Sequence, residues 1–178
     1  GGLTIAKTVT GSGSSANDAF TFRVELENAT VTVDGAYDIT YSDGTSGRLT
    51  VANGVSANIT LKGGQTVSIA GLPLGTSYTV TEYVTNAGVE SAAVQGVVNE
   101  NGYTLTTANA LTGPIDRADG TYSASFTNDR KVGDLTVTKV VAGNGAGAPN
   151  ALTAFDVTVT LTPPQGVTLV GTWEQGEE

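Results

Sequence analysis

Three side chains of complementary chemistry fall where polar groups are least expected. In LTIAKTV (Leu3 to Val9), strand alternation puts Leu3, Ile5 and Val9 on one side, and Lys7 lies on that same apolar side. YTVTEYV (Tyr78 to Val84) aligns Tyr78 and Val80 with Glu82, and YSASFTN (Tyr122 to Asn128) aligns Tyr122, Ala124 and Phe126 with Asn128. One amine, one carboxyl and one carboxamide thus sit on predicted core faces of a first, a middle and a last strand. Two plain readings stay open at this point. Glu82 and Asn128 close their strands in water while Lys7 snorkels to the rim, or Lys7 and Glu82 form a buried ion pair, whose desolvation cost tends to match its Coulombic gain.

The rest of the composition narrows the chemistry to these types. The 178 residues include no Cys, His or Met. This excludes cysteine nucleophiles, disulfides, thiolate or imidazole metal sites, thioester bonds and any triad with a histidine base. Carboxylate, hydroxyl, amide and lysine chemistry survive. With 17 acidic against 8 basic residues, the formal charge is -9. No cationic stripe is available for phosphates, so neither nucleic acid nor an anionic membrane surface is an expected partner. No apolar run approaches the roughly 20 residues that span a bilayer. The opening GGLTIAKTVTG lacks a charged n-region and cleavage site, so an export signal or anchor is expected to have been removed or to lie elsewhere.

The elements that must position the three groups read as strands. Thr and Val dominate, 24 residues are Gly, and apolar spacing at three and four is rare, which points to an all-β protein, a sandwich or barrel. Alternation recurs in FTFRVEL (Phe20 to Leu26), YDITY (Tyr37 to Tyr41) and TVSIAGL (Thr66 to Leu72). Asp43-Gly44 predicts a two-residue type I′ hairpin, and Gly63-Gly64 predicts another between NITLK and TVSIAGL. Asn101-Gly102, Asp119-Gly120 and GNGAG (Gly143 to Gly147) mark further breaks. Residues 86–100 fit either a strand pair or a loop with one helical turn.

An internal repeat sets the organisation. GLTIAKTVTG from Gly2 returns as DLTVTKVVAG from Asp134, mapping Lys7 onto Lys139 at an offset of 132. Phe20 to Leu26 returns as FDVTVTL (Phe155 to Leu161), Thr40-Tyr41 aligns with Thr172-Trp173, and Gly44 with Gly176. The chain therefore reads as one complete unit, residues 1–132, and the truncated N-terminal part of a second, residues 133–178. Such a short fragment buries too little apolar area to offset its ordering entropy, so it should be partly disordered, lean on the first unit or pair with another chain. Lys139 recurs on the apolar face formed by Leu135, Val137 and Val141, which argues against coincidence at Lys7, although its own carboxamide partner is absent.

LTIAKTVTG, GLPLGTSYTVTE (Gly71 to Glu82) and ASFTNDR (Ala124 to Arg130) together resemble the B-type repeat of the collagen adhesin, the CnaB domain of Gram-positive surface adhesins and pilins. The resemblance covers the first unit and continues into DLTVTKVVAG. It implies an Ig-like, prealbumin-like β-sandwich and an intramolecular isopeptide bond from Lys7 to Asn128, with release of ammonia and with Glu82 as the proton shuttle. Burial disfavours an ammonium, which suits Lys7 to the nucleophile's part. Burial also favours a neutral carboxyl, and the expected contact of Glu82 is a hydrogen bond to the Asn128 carbonyl. Phe22, Tyr78 and Phe126 would exclude water. Each chain would react once, so no enzyme turnover and no cofactor are implied.

The resemblance further implies a stalk or shaft module of an adhesin or pilin, extracellular, on the cell surface or wall of a Gram-positive bacterium. Its partners would be neighbouring domains of the same protein and other pilin subunits. No LPxTG-type sorting signal or pilin polymerisation lysine motif is recognisable. The alternative is an adhesive module that binds a host or matrix ligand through loops at 84–101 or 109–119. Calcium is a weaker expectation, since Asp34, Asp38 and Asp43, or Asp116 and Asp119, follow no calcium-loop pattern, and the reading is no metal. Asn28 and Asn58 head glycosylation sequons of a kind common by chance in such chains. Glycoside hydrolysis would need a second inward carboxyl facing Glu82, and none is placed.

Overall fold

β-Branched residues on alternating apolar faces order the chain as a succession of strands. The computed structural model describes residues 1–140 and 155–163. Its strands are β1 (Gly2–Thr10), β2 (Ala19–Glu27), β3 (Gly35–Tyr41), β4 (Ser46–Ala52), β5 (Val55–Ser56) and β6 (Ile59–Lys62). They continue with β7 (Thr66–Ile69), β8 (Thr76–Asn86), β9 (Val89–Ala92), β10 (Thr104–Leu105), β11 (Leu111–Ile115) and β12 (Thr121–Asp129). No helix occurs among the described residues.

The strands form one hydrogen-bonded path, β10-β12-β1-β7-β3-β4-β5-β2-β8-β11, with β6 added beside β2 and β9 beside β8. The path curls at the two-residue β5, so that β12, β1, β7 and β3 face β2 and β8 in a sandwich. The core shows the facing directly. Phe22 of β2 and Phe126 of β12 are fully buried with ring centroids 5.1 Å apart, and Leu3, Ile5, Val24, Val67 and Val80 fill the space around them.

One ladder departs from the antiparallel rule. β1 and β12 run parallel over nine residue pairs, from Gly2↔Thr121 to Thr10↔Asp129. The chain therefore enters the unit at one end of this pair and leaves at the other. The exit is held: Arg130 N–H donates to Thr10 O at 2.9 Å and Gly13 N–H to Arg130 O at 2.9 Å.

Two turns differ from their expected form. At Asp43-Gly44 only Gly44 has positive φ, +86°, and Gly44 N–H donates to Tyr41 O at 3.0 Å, which makes a three-residue loop with a left-handed glycine. The Asp43 carboxylate accepts from Thr45 N–H at 2.9 Å, stabilising negative φ at Asp43 itself. Gly63-Gly64 does not close a hairpin. β6 pairs with β2 while β7 pairs with β1 and β3, so this turn carries the chain from one face of the sandwich to the other. The undecided stretch opens as a strand pair, β8 and β9, joined through Ala87 and Gly88 at φ 49° and 78°, and continues over 93–100 as turns with one isolated bridge, Val98 to Thr104.

Residues 131–140 and 155–163 carry no strand ladder, and Leu135, Val137, Phe155 and Leu161 are exposed. β1, by contrast, takes its hydrogen bonds from β7 and β12 on its two sides. Val141, the GNGAG turn, Thr172-Trp173 and Gly176 lie outside the described residues. Hydrogen exchange checks this division. Amides of Leu3 to Thr8 and those of Tyr122, Ala124, Phe126 and Asn128 that face β1 should be among the slowest, while those of Leu135 to Val140 and Asp156 to Leu161 should exchange within about tenfold of unprotected rates.

Candidate functional site

Lys7, Glu82 and Asn128 come from β1, β8 and β12, and the fold brings all three together. Lys7 and Asn128 share the inner face of adjacent parallel strands, where Val9 is opposite Asn128, so the long lysine side chain reaches forward by one inward position. Glu82 descends from the facing layer. Lys7 is 1%, Glu82 0% and Asn128 1% exposed, which sets aside the rim reading for each.

Their hydrogen bonds close a triangle. The Lys7 Nζ donates to Glu82 Oε2 at 2.8 Å and to Asn128 Oδ1 at 2.6 Å. The third side runs from Asn128 Nδ2 to Glu82 Oε1 at 2.6 Å. The expected hydrogen bond from Glu82 to the Asn128 carbonyl is thus replaced by one from the amide NH2. The carbonyl oxygen is taken by the lysine, and a carboxylate is an acceptor that suits the NH2. Each carboxyl oxygen consequently holds one of the two nitrogens.

Each site residue is also held through its backbone. Lys7 N–H donates to Gln65 O at 2.9 Å and Gly64 N–H to Lys7 O at 2.8 Å, which gives the Gly63-Gly64 turn its place. Glu82 is flanked by the Asn109 side chain, and Asn128 pairs with Leu105 of β10.

Burial lowers the Lys7 ammonium from its ordinary 10.5 to about 8, against the opposing charge and hydrogen bond of Glu82. The Phe20 ring lies 4.0 Å and the Phe22 ring 5.9 Å from the Lys7 nitrogen. Phe126 packs behind Phe22. Tyr78, expected among the water-excluding rings, is a core residue elsewhere. Four positions before Glu82 on β8, it lies 6.5 Å from the Tyr122 ring and abuts Gly113. Phe20 takes the part assigned to it, a role that alternation on β2 permits but does not single out. Lys139 Nζ lies 4.7 Å over Phe155, repeating the Lys7 and Phe20 arrangement at the mapped positions.

Other candidate groups have local partners. Asp34 accepts from Asn53 N–H at 3.0 Å and Gly54 N–H at 2.8 Å, and Asp38 pairs with Arg48 at 2.9 Å. Asp116 accepts from the Tyr122 hydroxyl. No group of three or more potential ligands fit to hold a metal ion occurs among the described residues. Asn28 and Asn58, of the two sequons, hydrogen-bond to Thr76 and Arg23 respectively.

Residues 1–130 match the family described as Domain of unknown function (DUF7601). The chain belongs to this family. It is also 41% identical over 95 residues to the pilus tip adhesin Cpa of Streptococcus pyogenes, covering 53% of this chain and 13% of the adhesin. A solved structure of the pilus-presented adhesin Cpa, a Cys-to-Ala mutant, aligns at 25% identity and a TM-score of 0.52 over 74% of this chain and 27% of that one. The major pilin from Streptococcus pyogenes aligns at 20% identity and a TM-score of 0.50, over 74% of this chain and 48% of the pilin, a likeness of fold alone. The chain spans only a minor part of these relatives. Its similarity is to part of a pilus adhesin and, in fold, to part of a major pilin.

The lowered lysine value has a measurable sign. Above about pH 8 the folded chain sheds a proton that the unfolded chain keeps until about 10.5, so the burial penalty is fully present below pH 8 and is relieved as pH rises across that window. In an Asn128→Ala background, stability to urea should therefore rise from about pH 8 to about pH 10 relative to Lys7→Met in the same background. A slope of the opposite sign would show that Lys7 is not penalised by burial.

Proposed function

We propose that this family member is a shaft module of a pilus-associated surface protein, stabilised by an isopeptide bond that it makes itself between Lys7 and Asn128. The observation that carries the reading is the lysine nitrogen 2.6 Å from the Asn128 Oδ1 inside a dry, closed triangle. The neutral amine of Lys7 attacks Cγ of Asn128. The Glu82 carboxylate takes a proton from the attacking nitrogen at Oε2 and passes that same proton to Nδ2, which its other oxygen already touches. The Cγ–Nδ2 bond breaks, ammonia leaves, and the Nζ–Cγ amide remains. No oxidant, water or cofactor is consumed. The proton moves between two nitrogens that the carboxyl already bridges, which makes proton transfer local.

The consequence is mechanical. The bond would close a loop of about 120 residues, worth about 5 kcal/mol on the chain-entropy model. Tension arriving at Gly1 would pass along β1 to Lys7, cross to Asn128 and leave through Arg130, bypassing everything between. The parallel β1–β12 pair supports this path because it sets the two chain ends at opposite ends of the unit. The relatives support a pilin or adhesin setting at the surface or wall of a Gram-positive bacterium, with neighbouring domains and other pilin subunits as partners. Residues 133–178 would be the opening of a second such unit, with Lys139 its amine, an assignment supported by the repeated contact with Phe155.

A second reading, ligand binding by the loops, is favoured by a cleft of about 430 Å³ lined by Phe20, Tyr83, Glu90, Glu100, Tyr103 and Arg130. Screening the purified protein against host matrix components, with Tyr83→Ala as control, tests it.

Intact mass tests the main reading. The purified chain should be lighter than its sequence by one ammonia, Lys7→Ala and Asn128→Ala should show the full mass, and Glu82→Ala should close at least about a hundredfold more slowly. A full mass for the unaltered chain would end the proposal. In single-molecule stretching between the ends of the first unit, the unaltered protein should release no length from residues 8–127. Asn128→Ala should release roughly 400 Å of contour in that experiment.

A further inference from the structure

The neighbour of β8 changes at Glu82. β11 runs beside it only as far as Leu111↔Val80, and β9 begins with Ala92↔Tyr83. The backbone of the carboxyl-bearing residue thus lies at a break between two flanking strands, where an ordinary ladder would leave it half paired. The Asn109 side chain fills that break as a peptide group would. Its Oδ1 accepts from Glu82 N–H at 2.8 Å, and its Nδ2 donates to Glu82 O at 3.0 Å and to Ala93 O at 2.7 Å. Ala93 N–H also donates to Glu82 O, at 2.9 Å, so one side chain ties β8 to the strand end after β9. The next residue, Ala110, has φ 54°, a left-handed conformation that costs an alanine energy and persists only where the surroundings demand it.

We infer that Asn109 is a positioning residue for bond formation. It fixes the backbone of Glu82 on the side that no strand covers, and so aims the two carboxyl oxygens at Lys7 and Asn128. This rests on the cross-link reading above. Asn109 touches neither reacting nitrogen, and it acts only through Glu82. A displacement of the carboxyl by a fraction of an ångström would break one of two short contacts, 2.8 Å to Lys7 and 2.6 Å to Asn128, and with it the proton path.

The test follows ammonia loss by intact mass after a pulse of cell-free synthesis of the full chain. Asn109→Ala should close about ten- to a hundredfold more slowly than the unaltered chain. Thr107→Ala, which removes a tie to Thr127 N–H from the same segment, should close at the unaltered rate. Asn109→Asp supplies a readout that mere structural support would not move. A protonated aspartic acid keeps the acceptor for Glu82 N–H and supplies one O–H where asparagine has two N–H donors, whereas the carboxylate faces the carbonyls of Glu82 and Ala93 with no donor at all. Its rate relative to the unaltered chain at the same pH should recover as pH falls, and that of Asn109→Ala should not. Should Asn109→Ala fail to fold, the Asn109→Asp profile decides alone. Closure of Asn109→Ala at the unaltered rate, or a flat relative profile for Asn109→Asp, overturns the inference and leaves the cross-link standing. Failure of the unaltered chain to lose ammonia overturns both.

Discussion

The arrangement depends on burying a lysine amine without leaving it unpaired. An isolated ammonium in a core of Phe20, Phe22 and Phe126 would be expelled or neutralised. Lys7 stays inside because a carboxylate and a carboxamide oxygen accept its protons, and because the third edge of the triangle satisfies the carboxamide NH2 in turn. No buried side-chain nitrogen or oxygen among the described residues lacks a partner. Removal of any one member strands the other two, so the three positions form one unit energetically as well as geometrically.

Topology decides which groups can meet. A Lys–Asn contact between strands far apart in sequence needs those strands to be neighbours with their inner faces aligned, and the parallel β1–β12 ladder supplies this across 121 positions. The carboxyl has to come from elsewhere, because an acid on either strand would compete for the same inner positions. β8, in the facing layer, provides it. The turn at Gly63-Gly64 then crosses between layers beside β1, where its backbone holds Lys7 from the side opposite to β12.

Much of this was legible in alternation. The inward faces of β1, β8 and β12 follow from period two, and the repeat at Lys139 strengthens the first of them. What alternation could not carry was the partner of each backbone group. Asn109 lies in a Thr-rich stretch with no periodicity, and its role appears only when β8, 27 residues earlier, is laid beside it. Gly63-Gly64 has hairpin composition, yet strand pairing on either side gives it a crossing role, since turn chemistry reports local φ and not destination. Tyr78 shares the inner face of Glu82 but lies too far along the strand, and a face assignment contains no distance. The carboxamide's orientation was likewise beyond reach, because it depends on which neighbour is the donor.

A covalent staple of this kind would differ from a disulfide in when it forms. A disulfide joins any two thiols that collide under oxidising conditions and can trap a misfolded chain. The amine and amide here would react only where burial frees the lysine of its proton and the carboxyl bridges both nitrogens, conditions that exist only after β1, β8 and β12 have assembled. The folded core must therefore stand without the bond for long enough to make it. The Phe22–Phe126 contact and the nine-pair β1–β12 ladder, neither of which needs the bond, are what allow that. The cross-link would then lock a native arrangement already selected by packing.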